Sequence, residues 1–247
     1  MNKKVKSKKK KKKLTHGKSS LTGRNMHTKV KTAKGRKLSS TLWLQRQLND
    51  PYVIEAKKKG YPSRSAFKLL ELDDKFHFLK PGTKIVDLGA APGGWTKVVV
   101  ERTNAEVNKE SKIIAVDINE MQPINGAIVI RHDFLDDLAI NLLKEALCGR
   151  ADVILSDMAS ASCGHATTDH LRIMGLCEAA LFFAYEVLAP NGTFVAKVLQ
   201  GGTEDEMLNS MKQKFKTVKH PKPSASRTES SEIYVVARGF KGPNNLD

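Results

Sequence analysis

The sequence lacks the features of several protein classes. Its 247 residues include only three cysteines, which form neither a C-x-x-C pair nor any metal-ligand spacing. This argues against a disulfide framework and a zinc module, so we expect no bound metal and a reducing, cytoplasmic location. No apolar run approaches the ~18 residues of a membrane span, so we expect no membrane association.

Acidic residues are missing from the first 40 positions. This segment holds 14 lysines and two arginines, which together equal the whole net charge of +16. Six consecutive lysines and few apolar side chains cannot offset the entropy lost on ordering, so residues 1–40 are predicted to be a disordered cationic tail. Counterion release would give such a tail sequence-independent affinity for RNA. A nuclear-localisation signal and an inert solvated tail are the alternatives.

The remaining residues, 41–247, are net neutral and long enough for one α/β domain. Short apolar strands alternate with helical segments after Pro81, which predicts a mainly parallel seven-stranded sheet with helices on both faces. The predicted strands are Lys84–Leu88, Lys112–Asp117, Ala127–Arg131, Asp152–Ser156, Thr193–Leu199, Phe215–Lys219 and Glu232–Arg238. The predicted helices are Leu42–Lys59 with an interruption at Pro51, Ser65–Leu79, Trp95–Thr103, Leu135–Leu147, Asp169–Leu188 and Glu204–Phe215. The helix Asp169–Leu188 is apolar on most faces and is expected to be well buried.

A glycine-rich turn, DLGAAPGGW, joins the strand Lys84–Leu88 to a helix, as in nucleotide-cofactor loops. The spacing differs from G-x-G-x-x-G, and acids follow three successive strands at Asp117, Asp133 and Asp157. Such acids suit a cationic adenosine cofactor without phosphate, which points to S-adenosylmethionine. Asp117 would accept the ribose hydroxyls, and Gly93 would allow close backbone approach. The alternative is a helix-start turn with ordinary surface acids.

Five motifs occur in the order and spacing of the FtsJ-like methyltransferases, which the chain resembles over residues 42–240. They are YPSRSAFKL from Tyr61, DLGAAPGGW from Asp87, SDMA from Ser156, FVAKV from Phe194 and SEIYVVA from Ser231. The resemblance implies a Rossmann-like methyltransferase fold, S-adenosylmethionine as cofactor and a position for Trp95 beside it. It also implies a Lys-Asp-Lys-Glu tetrad, whose members are Lys68, Asp157, Lys197 and Glu232.

The resemblance further implies a reaction and a substrate. The reaction is 2′-O-methylation of a uridine ribose in large-subunit ribosomal RNA, on an assembled or assembling subunit, by a monomer. Two positions depart from the family pattern. Ser160 stands where proline is usual after Asp-Met-Ala, and Glu229 adds an acid to a stretch that is usually basic. Both bear on how RNA docks and leave the chemistry unchanged.

Methyl transfer to a ribose hydroxyl calls for a base that takes the departing proton. Lysine is protonated at neutral pH and serves as a base only where burial and positive neighbours favour the neutral amine. Lys197 lies inside an apolar strand, where unpaired charges are rare, and we assign it as the base. Lys68, Asp157 and Glu232 would orient and tune it. The alternatives are a solvated charge for Lys68, a helix cap for Asp157 and the start of an edge strand for Glu232.

Two other functions fit an α/β sheet of this kind. A nicotinamide-dependent dehydrogenase is disfavoured by the absent G-x-G-x-x-G and by the acids at the strand ends. A non-catalytic RNA-binding factor for ribosome assembly is disfavoured because all four polar tetrad positions are filled. Titration with S-adenosylmethionine and with NAD would distinguish a methyltransferase from the dehydrogenase. Mapping of 2′-O-methyl groups would distinguish either enzyme from the assembly factor.

Overall fold

The structure, a computed structural model, describes residues 28–31, 34–160, 163–200 and 205–242. The chain divides into two compact units, Met1–Pro51 and Tyr52–Asp247. Most of the predicted cationic tail lies outside the described residues, and its boundary at residue 40 stays a prediction. In the first unit, helix α1 (Leu38–Asn49) ends at Asn49, whose side chain accepts a hydrogen bond from the backbone N–H of Thr28 and donates one to its carbonyl.

The other elements among the described residues are six helices and seven strands. Their bounds are α2 Pro51–Lys59, α3 Ala66–Phe76, β1 Lys84–Leu88, α4 Gly94–Thr103, β2 Lys112–Asp117, β3 Ala127–Arg131, α5 Ala139–Leu147, β4 Ala151–Ser156, α6 Ala166–Val187, β5 Leu188–Leu199, α7 Asp205–Lys214, β6 Phe215–Lys219 and β7 Glu232–Phe240. Strands β1, β2, β3 and β6 match the predicted bounds residue for residue. The predicted start of the last helix, Glu204, lies outside the described residues.

Helix α5 begins four residues later than predicted, at Ala139 rather than Leu135. The carboxylates of Asp133 and Asp136 each accept a hydrogen bond from the backbone N–H two residues on, at Leu135 and Leu138. Such side chains offer the backbone an alternative to the helical hydrogen-bond pattern. The segment before Ala139 is therefore a pair of turns, although its apolar residues suggest a helix.

In the part of the chain that the structure describes, seven strands form one sheet in the order β3-β2-β1-β4-β5-β7-β6. The first five strands pair in parallel, and β7 is antiparallel to both β5 and β6. The carboxyl ends of β1, β2, β4 and β5 therefore meet at one edge. Because β7 runs the opposite way, its first residue, Glu232, lies at that same edge.

Alternate residues of the strands fill two apolar cores, one on each face of the sheet. Val86 and Ile154 pack on the face covered by α5, α6 and α7, whereas Ile85 and Val153 pack on the face covered by α3 and α4. The predicted α/β architecture with helices on both faces is confirmed. The prediction that α6 is well buried is wrong at Phe182, which is 66% exposed, because a helix on a sheet buries only the side turned to it.

No helix among the described residues is long and apolar enough to cross a membrane.

Candidate active site

The glycine loop between β1 and α4 needs two of its glycines for steric reasons. Gly89 has φ +74°, and a Cβ added to it would lie 2.7–2.9 Å from atoms of Met158. Gly93 caps α4 with φ +102°, and a Cβ there would lie 2.7 Å from Ile124 Cδ1. Only glycine combines this backbone conformation with such close approach. Gly89 thereby brings the loop against the segment that follows β4.

A cleft of about 240 Å³ opens at the carboxyl edge of the sheet, between the glycine loop and the ends of β2, β3 and β4. All three predicted strand-end acids line it. The lining residues are Gly89, Ala91, Val116, Asp117, Ile118, Asn119, His132, Asp133, Phe134, Leu135, Asp157, Met158, Ala159 and Leu176. No lysine or arginine occurs in this set of described residues, so its fixed charge is negative. No group of His, Cys, Asp or Glu among the described residues could hold a metal ion.

The carboxylate of Asp117 joins the end of β2 to the glycine loop. Its Oδ2 accepts a hydrogen bond from Ala91 N at 2.9 Å, and its Oδ1 accepts one from Asn119 N at 2.7 Å. Asp133 is more exposed, and its Oδ1 accepts a hydrogen bond from Leu135 N. Backbone donors therefore hold both carboxylates at the rim of the cleft.

Trp95 and Gly93 lie outside the set of residues that line the cleft. Trp95 is 2% exposed and donates from Nε1 to the carbonyl of Ser65 at 2.9 Å, which ties the start of α4 to α3. Its ring lies 5.6 Å, between centroids, from that of Tyr234. This packing supports a role for Trp95 as an anchor of the start of α4. A direct role of Gly93 or Trp95 in cofactor binding stays a prediction.

The structure brings all four predicted tetrad residues together as two ion pairs. Lys68 Nζ lies 2.6 Å from Glu232 Oε1, and Lys197 Nζ lies 3.1 Å from Asp157 Oδ1. Lys197 also donates to the backbone carbonyl of Asp157 at 2.7 Å. Lys68 is 8% exposed and is therefore no solvated surface charge. Glu232 opens a strand that lies between two others, which removes the edge-strand alternative.

Asp157 belongs to both parts of the site, because it lines the cleft and is the partner of Lys197. It follows β4 directly, and its backbone N–H donates to the carbonyl of Leu88 at 3.2 Å. Asp157 thus joins Lys197 to the negatively charged cleft, and Lys197 itself is not among the described residues that line it. A molecule that contacts Asp157 in the cleft would therefore lie near Lys197, because both would contact the same carboxylate.

Tyr234 was not predicted to be a site residue, yet it connects the two ion pairs. Its hydroxyl donates to Asp157 Oδ1 at 2.8 Å and lies 3.4 Å from Glu232 Oε1. Tyr234 pairs directly with Lys197 across the antiparallel β5–β7 ladder. In the sequence it looks like one more apolar residue of a strand, so only the strand pairing could have revealed its role.

Asp87 is a second functional candidate that the sequence reasoning did not select. It is completely buried, its Oδ2 accepts from the Thr96 hydroxyl at 2.7 Å, and its Oδ1 has no partner among the described residues. Burial raises the pKa of this carboxyl to about 7, and the charges of Asp157 and Asp117 add to the rise. An ionisable side chain inside an otherwise apolar strand is the signal that singled out Lys197, and the same signal is present at Asp87.

Comparison with known proteins agrees with this geometry. The sequence profile described as FtsJ-like methyltransferase matches residues 61–240, which include the glycine loop, the cleft acids and all four tetrad residues. The chain belongs to the FtsJ-like methyltransferase family. Two relatives carry the name ribosomal RNA large subunit methyltransferase E. The protein from Paramagnetospirillum magneticum is 63% identical over 220 residues, which cover 89% of this chain and 90% of the relative. The protein from Parvibaculum lavamentivorans is 56% identical over 238 residues, which cover 92% and 94%.

A solved structure supports the FtsJ-like fold. The crystal structure of a protein assigned as a ribosomal RNA methyltransferase from Plasmodium falciparum is 35% identical to this chain, with a TM-score of 0.65. It covers 74% of this chain and all of its own. The predicted Rossmann-like methyltransferase fold is thereby confirmed for the FtsJ-like part of the chain.

Proposed function

We propose that the protein is an S-adenosylmethionine-dependent methyltransferase that modifies the 2′-hydroxyl of a uridine in large-subunit ribosomal RNA. The observation that carries the proposal is the position of Asp157. This residue lines the proposed cofactor cleft, and it also accepts two hydrogen bonds from Lys197. A methyl donor in the cleft and a base on the acceptor side therefore share one carboxylate.

The cleft fits the proposed cofactor in charge and in hydrogen-bonding groups. Three carboxylates and no lysine or arginine among the described lining residues suit a cation and disfavour a pyrophosphate. Asp117 would accept the ribose hydroxyls, while Asp133 and Asp157 would face the adenine and methionine parts. S-adenosylmethionine supplies an electrophilic methyl group on sulfur when it is bound.

Lys197 is placed to take the proton of the acceptor hydroxyl. A neutral amine has two N–H donors, and Lys197 directs contacts to both the carbonyl and the carboxylate of Asp157. In the deprotonated form that a base requires, the two N–H groups can keep these contacts, which leaves the lone pair to accept a proton. Lys197 Nζ would take the proton of the ribose hydroxyl, whose oxygen would accept the methyl group that the bound cofactor supplies. A positioned base of this kind typically contributes about 10²–10⁴-fold to the rate.

The second ion pair supports the acceptor side of the site. Lys68 extends from α3 and Glu232 from β7, and their 2.6 Å contact lies beside the hydroxyl of Tyr234. The Lys68 ammonium would stabilise negative charge on the ribose oxygen as its proton leaves. Glu232 keeps that ammonium in place. Together the four residues would orient the acceptor. Lys68, Lys197 and Glu232 are not among the described residues that line the cleft.

The substrate follows from the relatives and from the charge distribution. The relatives are named for large-subunit ribosomal RNA, and we infer the same substrate here, on an assembled or assembling subunit in the cytoplasm. The cationic segment of residues 1–40 adds RNA affinity that the neutral body lacks. We expect the protein to act as a monomer.

The test is a methylation assay with large subunits and free ribosomal RNA from a strain that lacks its own copy of this enzyme. Purified protein and labelled S-adenosylmethionine are added, and the 2′-O-methylated nucleotide is mapped by mass spectrometry. We expect one methylated uridine in the large-subunit RNA. RNA binding with no transferred methyl group would instead support an assembly factor, and calorimetric binding of NAD rather than S-adenosylmethionine would support a dehydrogenase.

A further inference from the structure

The loop between β6 and β7, residues 220–231, is fixed to helix α3 by one carboxylate. Glu71 accepts hydrogen bonds from two consecutive backbone N–H groups of the loop, those of Ser224 and Ala225, with one carboxylate oxygen for each. The contact to Ala225 N measures 3.1 Å. Hydrogen bonds to a charged acceptor are stronger than neutral ones, so this is a firm attachment for an irregular segment.

The next peptide group of the loop is held as well. The Arg64 guanidinium, just before α3, donates to the carbonyl of Ala225 at 2.6 Å. The Ala225 side chain is completely buried and packs with Ala56 and Phe67. Both polar groups and the methyl group of one loop residue are therefore fixed against neighbouring elements.

The held segment leads directly into the tetrad. Ser226 follows Ala225, is 6% exposed, and donates from its hydroxyl to Glu232 Oε1 at 2.9 Å. The same oxygen is the partner of Lys68. Glu71 and Lys68 are three residues apart on α3, so they lie on one face of the helix. One helical turn thus holds both the tetrad lysine and the loop that contacts its partner.

We propose that Glu71 is a positioning residue for methyl transfer, which sets Ser226 against Glu232 by fixing the β6–β7 loop on α3. This proposal rests on the proposed function of the tetrad. None of Glu71, Arg64, Ser224, Ala225 or Ser226 belongs to the described residues that line the cofactor cleft. Loss of the attachment should therefore disturb the acceptor side and leave the cofactor side intact.

The experiment compares Glu71→Ala and Glu71→Gln with wild type in three measurements. Glutamine keeps one acceptor oxygen and replaces the other with an amide nitrogen that cannot accept a hydrogen bond, so it should keep part of the function. We expect kcat for RNA methylation to fall about tenfold or more in Glu71→Ala and by less in Glu71→Gln, since a hydrogen bond to a charged group is lost. The dissociation constant for S-adenosylmethionine should stay within about twofold of wild type.

Hydrogen exchange at the amides of Ser224 and Ala225 reports the attachment itself, independently of catalysis. Exchange should speed up in both variants while the strands of the sheet stay protected. Tyr52→Phe is the matched control. It removes the other contact of Glu71, a 3.4 Å hydrogen bond from the Tyr52 hydroxyl, without touching the loop. It should change neither exchange at Ala225 nor kcat.

The outcomes separate this proposal from the proposed function. Faster exchange at Ala225 with wild-type kcat in the Glu71 variants would overturn the positioning role. An equal loss of cofactor affinity would overturn it too, because the effect would then be general. Absence of methyl transfer by the wild-type protein would instead refute the proposed function. If Glu71→Ala fails to fold, the Glu71→Gln comparison decides in the same terms.

Discussion

The hydroxyl of Tyr234 donates a hydrogen bond to Asp157 Oδ1 at 2.8 Å, and that carboxylate is also the partner of Lys197. Burial raises the pKa of Tyr234 well above its ordinary value, so the phenol remains a donor at working pH. The second contact of the hydroxyl, to Glu232, joins the two ion pairs into one network. The proposed catalytic group therefore comprises five residues rather than four.

Replacement of Tyr234 by phenylalanine should lower kcat about tenfold or more while binding of S-adenosylmethionine stays unchanged. The variant keeps the buried ring but removes a hydrogen bond to a charged group, which is worth roughly 1.5–3 kcal/mol. Steady-state methylation and calorimetry check the two parts. Tyr185→Phe is the control, since it removes a comparable hydroxyl contact, to Ser210 at 2.9 Å, outside the site. Equal losses in both variants would show that stability rather than catalysis is affected.

Lys197→Ala should abolish turnover and leave cofactor binding in place, because the proposed role of the amine is toward the acceptor hydroxyl and Lys197 is not among the described residues that line the cleft. Lys197→Arg should not restore turnover, since the guanidinium stays protonated and cannot act as a base. Single-turnover methylation with saturating S-adenosylmethionine is the measurement. Lys241→Ala, which removes a lysine whose ammonium donates to the carbonyl of Gln213, should behave as wild type. A normal single-turnover rate in Lys197→Ala would refute the assignment of the base.

Asp117→Ala should weaken binding of S-adenosylmethionine. Charge-assisted hydrogen bonds to the ribose are lost, at a cost of roughly 1.5–3 kcal/mol, and the glycine loop loses its tie at Ala91. Calorimetric titration gives the dissociation constant. Asp152→Ala is matched to it, because that carboxylate also accepts a backbone hydrogen bond, from Lys84, without lining the cleft. If the two variants bind equally well, Asp117 has a structural role only.

Asp87 predicts a pH dependence of stability. Burial raises its pKa from 3.8 to about 7, so between these values the folded protein holds a proton that the unfolded chain has released. The contribution of Asp87 to stability is therefore fully present below about pH 4, falls as the pH rises, and is lost above about pH 7. Asp87→Asn keeps an acceptor for the Thr96 hydroxyl and removes this charge. The variant should gain stability at pH 8, on the order of a few kcal/mol, and gain little at pH 4.

Urea unfolding at the two pH values measures this gain. Asp73→Asn serves as the comparison, because Asp73 is a buried carboxylate whose oxygen accepts hydrogen bonds from the amides of Phe78 and Leu79. It should show no gain at pH 8. A wild-type pH profile for Asp87→Asn would mean that Asp87 is ionised throughout the range.

Removal of residues 1–40 should leave cofactor affinity intact, weaken RNA binding and flatten its salt dependence. The segment carries the whole net charge of +16. The slope of log K against log salt is about −0.7 to −0.9 for each phosphate neutralised, so even a few engaged lysines are measurable. The methylated position should not change, because phosphate contacts carry no sequence information. Salt titrations of full-length and truncated protein with equal slopes would show that the tail takes no part.

The sequence predicted the sheet well because most of its strands are short apolar runs bounded by turn residues. The sequence also predicted that Lys197 has a partner or a catalytic role, because a charge inside an apolar strand is costly unless it is paired. The same reasoning applies to Asp87, which is an acid inside an apolar strand. Tyr234 and Glu71 could not be found in this way. The role of each depends on what lies across a strand pair or on a distant loop, and neither residue type is unusual at its position.

The order of the sheet has a consequence for synthesis of the protein. Strands β1 to β4, with Asp117, Asp133 and Asp157 at or after the ends of β2, β3 and β4, leave the ribosome well before β7, which brings Glu232 and Tyr234. Strand β6 is made earlier than β7 but pairs only with β7 among the described strands, so it has no place in the sheet until β7 arrives. A growing chain can therefore form the proposed cofactor cleft first. The proposed acceptor side is complete only after β7, the last of the described strands, has been made.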